Sequence, residues 1–173
     1  MTDHPTEGTG GKLKLQSQEG TIFEVSRQVS FMSQLCKNMA EDLEEGDDPL
    51  IPLPNVEKEV LKKIIDYMEY HHEEPAAEIE RPLKTRLEDI ICEWDRGFLD
   101  EISTEDRVML FKVILGANFM DIKDLLDLTC AKVASLIKGK TPEEIREMFG
   151  IENDFTPEEE QAIKEENKWC EDA

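Results

Sequence analysis

The stretch KGKTPEEIREMFGIENDFTPEEEQ, residues 138–161, decides how the end of this chain folds, because it contains the tetrapeptide Thr-Pro-Glu-Glu twice. The two copies begin at Thr141 and Thr156. In each copy the threonine can cap a helix, the proline suits the first helical position, and the glutamate three residues after the threonine can close a capping box. Gly139 is a residue type that commonly ends the preceding helix. The repeat therefore predicts two helix starts.

The tripeptide Gly-Lys-Thr at residues 139–141 also matches the end of a phosphate-binding loop. That motif needs a second glycine five residues earlier, in a loop that follows a strand. Here that position is Ala134, inside the segment AKVASLIK, whose apolar spacing is helical. A phosphate site is therefore rejected in favour of a helix end followed by a helix start.

The helices predicted after Thr141 and Thr156 are short or highly charged, so they cannot form a core by themselves. Their apolar residues either cover the domain's own surface or await a partner helix, and the residues alone leave both alternatives open. These residues are Ile145, Met148, Phe149, Ile151, Phe155, Ala162, Ile163 and Trp169.

The chain of 173 residues carries 41 acidic and 20 basic side chains, a formal net charge of −21. Binding to nucleic acid or to an anionic membrane needs clustered basic residues, so neither is expected as a partner. Basic protein surfaces are the natural complement. The four cysteines form no C-x-x-C pair, and no signal peptide or membrane-spanning run is evident, which predicts an intracellular protein with reduced thiols.

No catalytic, cofactor or metal site is predicted. His4 lies in the N-terminal tail, while His71 and His72 stand at the end of a predicted helix, where a solvated position is the expected one. No histidine is close in sequence to Cys130 or Cys170, so a cysteine nucleophile has no support. The chain is therefore predicted not to be an enzyme.

The rest of the sequence predicts two or three strands followed by helices. KLKL (12–15) and TIFEV (21–25) alternate as an antiparallel hairpin, and residues 50–53 suit a short edge strand. Asn55 can cap a helix with buried Val60 and Ile64. Thr104 and Asp121 can cap two later helices, and the first of these places one apolar stripe at Val108, Phe111, Leu115 and Phe119. The fold class is α+β, with helices segregated from a small sheet.

The segments KLQSQEGTIFEV, IPLPNV and LFKVILGANFMDIKDLLDLTCAKVASLIKGKTPEEIR resemble the S-phase kinase-associated protein 1 family, as does the C-terminal run from Lys138 to Glu171. This resemblance covers roughly residues 12–70 and 94–172. It implies a BTB/POZ fold followed by C-terminal helices. It also implies a non-catalytic adaptor of an SCF-type cullin-RING ubiquitin ligase that bridges a cullin to the F-box of substrate receptors, in the cytoplasm and nucleus.

The resemblance also implies site residues. Asn118 and Phe119 match the cullin-facing pair of the family, with phenylalanine where tyrosine is more usual, and Cys36 and Lys37 lie in its other cullin-side stretch. Pro157 matches a proline that is hydroxylated and glycosylated in some protist members. The apolar positions that match the F-box-binding motif are Val133, Leu136, Ile137, Ile145, Phe149, Ile151 and Trp169.

The resulting division of the chain is a disordered tail (1–11), a first BTB/POZ part (12–70), an acidic polar linker (71–93, flexible at least to residue 89), a helical BTB/POZ part (94–138) and F-box-binding helices (139–173). The region around Trp94 lacks the proline usual in the family. Rival interpretations are a self-associating BTB scaffold and the elongin C family, which lack the C-terminal helical block. A weak homodimer that an F-box displaces is a further expectation, because uncovered apolar residues favour self-association.

Overall fold

The computed structural model describes residues 11–41, 49–103 and 107–168. Its sheet consists of β1 (Lys12–Gln16), β2 (Ile22–Ser26) and β3 (Leu50–Pro52) in the order β2-β1-β3. β1 pairs antiparallel with β2 and parallel with β3. The predicted hairpin and edge strand are therefore confirmed. The predicted disordered tail lies outside the described residues, apart from Gly11.

Helices make up most of the remaining described chain, as the prediction of an α+β class requires. In chain order they are α1 (Arg27–Ser30), α2 (Gln34–Glu41), α3 (Lys58–Glu73), α4 (Glu93–Ile102), α5 (Val108–Phe119), α6 (Lys123–Ile137), α7 (Pro142–Phe149) and α8 (Pro157–Glu166). None of the helices in the described ranges has the length and apolar character needed to cross a bilayer.

The start of α3 differs from the prediction, because Asn55 does not cap it. The helix begins at Lys58, whose backbone N–H donates to Glu19 Oε2 at 2.8 Å from the hairpin turn. Val56 is buried in the preceding turn, and its carbonyl accepts from the Gln18 N–H at 2.8 Å. A tertiary contact with the hairpin therefore replaces the local cap. At α6 the residue before the helix is Ile122, so the predicted cap Asp121 is one residue too early. Thr104, the predicted cap of the preceding helix, lies outside the described residues.

One core combines residues of the sheet, α3 and α5, and α3 packs directly against α5. Leu61 and Ile64 of α3 are fully buried, as are Leu13 and Leu15 of β1. α3 and α5 approach closely at Gly116, where an added Cβ would stand 2.7 Å from Ile64 Cδ1. A Cβ at this position would force the Ile64 side chain to shift, so glycine allows the two helices to approach this closely.

α5 turns most of its predicted apolar stripe away from this core, although Phe119 at its end packs against the core. The buried residues of α5 are Leu110, Val113, Gly116 and Ala117, whereas Leu115 is 68 % exposed and Phe111 39 % exposed. The helix is apolar on nearly every side. The face with Leu110 and Val113 covers the core, and the face with Leu115 is in contact with solvent. The periodicity of the sequence predicted this stripe but not which side of α5 faces the solvent.

Residues 74–92, here called the strap, are not the flexible linker that the composition predicts. α3 continues to Glu73, and the strap includes a 3₁₀ turn at Leu87–Asp89 in which Leu87 is 2 % exposed. Ile79 and Leu83 pack against the core. The strap lies against the fold because it contains its own apolar anchors among the charges. His71 is also not at a solvated helix end, since it is buried.

Both predicted capping boxes are present. The Thr141 N–H donates to Glu144 Oε2 at 2.8 Å, and the Glu144 N–H donates to Thr141 Oγ1 at 3.2 Å. Thr156 and Glu159 repeat the pair at 2.9 and 3.3 Å. Gly150 ends α7 in the left-handed conformation, with φ of 61°. The chain divides into two compact units, the first ending at Lys138 and the second beginning at Gly139.

Candidate partner-binding surfaces

The first candidate surface is the α5 stripe, defined by Val108, Phe111 and Leu115 and continued at the end of α5 by Asn118 and Phe119. Val108 is 46 % exposed and Asn118 is exposed, while Phe119 is half-buried. Side chains three and four positions apart on a helix lie on one side. A contiguous apolar surface of this kind is characteristic of protein contacts.

Among the two predicted residues of α2, only Lys37 reaches the surface. Cys36 has 0 % exposure, and burial raises the pKa of its thiol. Its backbone N–H donates to Ser33 Oγ at 3.1 Å, and Ser33 Oγ donates to the Met120 carbonyl at 2.5 Å. The prediction that Cys36 binds a cullin directly is therefore corrected, because its side chain belongs to the packing that joins α2 to the end of α5.

The C-terminal half of α6 presents the predicted residues Val133, Leu136 and Ile137. The first two are half-buried and pack against the core, whereas Ile137 is 37 % exposed. On the same helix Cys130 lines a mostly apolar groove of about 470 Å³ between α6 and the strap, with Leu83 on the opposite side. Burial and the Asp127 carboxylate raise the pKa of the Cys130 thiol, which disfavours the thiolate that a nucleophile requires.

The second unit has apolar side chains but no fully buried residue among residues 139–168. Ile145 and Phe149 are half-buried. Ile151 is 54 % exposed, Phe155 45 % and Ile163 40 %. Trp169 lies outside the described residues. A helical pair without a buried interior exposes apolar surface that a partner can cover.

Polar contacts hold α7 and α8 to each other within this unit. Arg146 Nη1 lies 3.2 Å from Glu160 Oε1, which also accepts from Asn153 Nδ2 at 2.9 Å. Lys164 pairs with Glu143 at 3.5 Å. Ion pairs therefore join α7 to α8, and the Arg146 guanidinium also lies 5.8 Å from the centre of the Phe155 ring.

Several members of these surfaces were not predicted as binding residues. Phe111 and Leu115 of the α5 stripe were recognised only as an apolar stripe, and Phe155 and Ile163 only as apolar residues of the second unit. For Phe111 and Leu115 the available signal was their spacing on one side of α5, whereas Phe155 lies between α7 and α8 and has no such signal. Within the described ranges, no group of three or more His, Cys, Asp or Glu side chains is arranged to hold a metal ion.

These exposed helix faces are those of a protein-interaction module. Two family models match the chain: the Skp1 family tetramerisation domain over residues 11–73 and the Skp1 family dimerisation domain over residues 123–170. The chain is 54 % identical over 163 residues to the S-phase kinase-associated protein 1 homolog of Tetrahymena thermophila, covering 94 % of this chain and 95 % of that protein. The chain belongs to the Skp1 family, and its predicted BTB/POZ-like α+β fold is confirmed.

Other relatives have names that describe a complex. SCF ubiquitin ligase complex protein SKP1a of Dictyostelium discoideum is 48 % identical over 160 residues, covering 92 % of this chain and 96 % of that protein. E3 ubiquitin ligase complex SCF subunit sconC of Talaromyces marneffei is 47 % identical over 162 residues, covering 94 % and 98 %. These two relatives are thus named as subunits of SCF ubiquitin ligases.

Proposed function

We propose that this chain is a non-catalytic adaptor of an SCF-type ubiquitin ligase, bridging the N-terminal region of a cullin to F-box substrate receptors. Membership of the Skp1 family and the names of the relatives support the ligase complex. The observation that supports the bridging role is that apolar side chains are exposed in both units: the α5 stripe in the first, and Ile151, Phe155 and Ile163 in the second. A bridge needs two such surfaces, whereas a receptor for one partner needs one.

The α5 stripe is the proposed cullin-binding surface. Leu115 is its most exposed apolar side chain, and burying it is favourable in proportion to the apolar area removed from water. Asn118 is exposed at the end of the same helix, where its amide can both donate and accept hydrogen bonds at the rim of an interface. Phe119 and Lys37 complete the proposed surface, and Cys36 supports it only from the core.

The proposed F-box-binding residues form one group in each unit, and those on α6 and α7 stand at helical spacing. On α6 they are Val133, Leu136 and Ile137. In the second unit they are Ile145, Phe149 and Ile151, with Trp169 as a further predicted anchor and with exposed Phe155 and Ile163 as additions. An amphipathic partner helix that covers such residues is a common mode of recognition.

Mixing experiments test the two contacts separately. The purified chain is combined with a cullin N-terminal domain and, in another sample, with an F-box peptide, and the masses are measured by size-exclusion chromatography with light scattering. We expect both complexes to form, Asn118→Lys to remove only the cullin complex, and Ile145→Asp to remove only the F-box complex. Each variant is therefore the folding control of the other. If the wild-type chain forms neither complex, the proposed adaptor function is refuted.

Self-association through the second unit is a second proposal. The family model that covers residues 123–170 is described as a dimerisation domain, and exposed Ile151 and Phe155 favour pairing when no partner covers them. We expect a weak homodimer in analytical ultracentrifugation that dissociates as F-box peptide is added. A dimer dissociation constant that stays the same at saturating peptide would contradict a shared surface.

Hydroxylation of Pro157 is a third proposal. Pro157 is exposed at the first position of α8, so its ring is open to a modifying enzyme while the helix needs no proline N–H. We expect mass spectrometry of the chain isolated from its own cells to find one added oxygen atom on the peptide that contains Pro157. An unmodified peptide in cells with an active prolyl hydroxylase would contradict the proposal.

A further inference from the structure

His71 and Asp95 form a buried pair that joins the two ends of the strap. His71 lies in the last turn of α3, just before the strap, and Asp95 lies in the first turn of α4, just after it. His71 is 6 % exposed and Asp95 is 2 % exposed. His71 Nε2 is 2.8 Å from Asp95 Oδ1, and His71 Nδ1 is 2.8 Å from the Glu74 carbonyl oxygen.

Both ring nitrogens of His71 therefore face oxygen acceptors. The Glu74 carbonyl can only accept, so Nδ1 carries a proton. An ionised Asp95 carboxylate also accepts only, so Nε2 carries a second proton and the ring is an imidazolium. A neutral imidazole has one N–H and satisfies only one of the two acceptors. The geometry thus requires the protonated ring whenever Asp95 is ionised.

Helix ends and aromatic rings also favour this charge arrangement. The C-terminal end of a helix stabilises a cation and the N-terminal end an anion, which are the positions of His71 and Asp95. The imidazole centroid lies 4.3 Å from Tyr67, 5.0 Å from Tyr70 and 5.6 Å from Trp94, with the latter two rings nearly perpendicular to it. The π faces of aromatic rings attract cations.

The charged and titratable groups around His71 come from each neighbouring element. Asp95 acts from α4 and Asp124 from α6, while Tyr67 and Tyr70 are on α3 itself. Burial alone would lower the pKa of His71, but the hydrogen bonds to Asp95 and the Glu74 carbonyl outweigh it, so the pKa of His71 is raised. A raised pKa means that this contribution to stability is complete below about pH 6.5, the ordinary imidazole value, and is lost as the pH rises through the folded value.

We propose that the His71–Asp95 pair is a pH-sensitive clasp that holds the strap closed on the first unit and releases it when the pair loses a proton. Leu87 and Ile91 anchor the C-terminal part of the strap, because both are buried. Its middle is held by an ion pair between exposed Arg81 and half-buried Asp127 and by half-buried Ile79 and Leu83. These same strap residues line the groove against α6. Opening the clasp therefore changes the groove as well as the strap, and this inference does not depend on the proposed adaptor function.

Two measurements on the full chain test the clasp. In the first, NMR follows the imidazole carbon-bound protons from about pH 5.5 to pH 9.5, with His71 assigned through His71→Gln. In the second, hydrogen–deuterium exchange of residues 76–91 is followed over the same range and corrected for the intrinsic effect of pH. We expect a pKa above the ordinary 6.5 for His71 and about a tenfold loss of protection in the strap as it deprotonates, the size expected for one charge-assisted hydrogen bond.

Neighbouring His72 supplies the matched control, because it is exposed on the same helix turn. His72→Gln should keep the wild-type profile, whereas His71→Gln and Asp95→Asn should flatten it. Equal profiles for the wild type and His71→Gln would overturn the proposal. A pKa of His71 at or below 6.5 in the wild type would also overturn it, and that result is independent of whether either variant folds.

Discussion

Replacing Leu115 by alanine should weaken cullin binding without harming the fold. Leu115 is 68 % exposed in the free chain, so about two-thirds of its side chain remains to be buried by a partner. Burying a leucine side chain completely is favourable by about 1.5–3 kcal/mol, so that fraction corresponds to about 1–2 kcal/mol of binding free energy. Such a loss raises the dissociation constant about 5- to 30-fold.

Isothermal titration of a cullin N-terminal domain into each variant measures this loss. The matched control is Ile22→Ala, because Ile22 is 50 % exposed on β2 of the same unit but lies outside the α5 stripe. Both variants should keep the free energy of unfolding within about 0.5 kcal/mol of the wild type, since neither side chain supports the core. An unchanged dissociation constant for Leu115→Ala would refute the stripe as the cullin surface, as would an equal loss for Ile22→Ala.

Further predictions concern stability. Gly116→Val should lower the free energy of unfolding by about 1–3 kcal/mol in urea titrations, because its Cβ would stand 2.7 Å from Ile64 Cδ1; wild-type stability would show that α3 yields easily. Leu15→Ala should cost about 2–5 kcal/mol in the same assay, since Leu15 is fully buried, and a smaller cost would indicate a loosely packed sheet. Thr156→Ala should cost about 1 kcal/mol of local helix stability, detected as faster amide exchange in α8 only. Unchanged exchange would show that the capping box adds nothing. The wild-type chain should lose stability as the pH rises through the raised pKa of His71, while a rising stability would have the wrong sign.

Features that depend on neighbouring residues were predictable from sequence. The capping boxes at Thr141 and Thr156 each involve residues three positions apart, and both formed as predicted. The hairpin between β1 and β2 follows equally from alternation around a short turn. In each of these cases the signal and the contact lie in the same short stretch.

Features that depend on distant partners were not predictable in this way. His71 pairs with Asp95, which is 24 residues later in the chain. The first backbone N–H of α3, that of Lys58, donates to Glu19 in the hairpin turn. The orientation of α5 was undetermined for another reason. Both its exposed side, with Leu115, and its buried side, with Val113, are apolar, so periodicity gives no preference between them.

The lack of fully buried side chains in residues 139–168 has a consequence for how variants of this chain are screened. Cooperative unfolding is driven by burial of apolar surface, so a melting curve of the isolated chain reports mainly on the first unit. A substitution such as Phe155→Ser would leave the melting temperature unchanged. Its effect would be detected only in a binding measurement with a partner. Variants in this region therefore need to be tested by complex formation, because a thermal melting curve would not distinguish a binding-defective variant from the wild type.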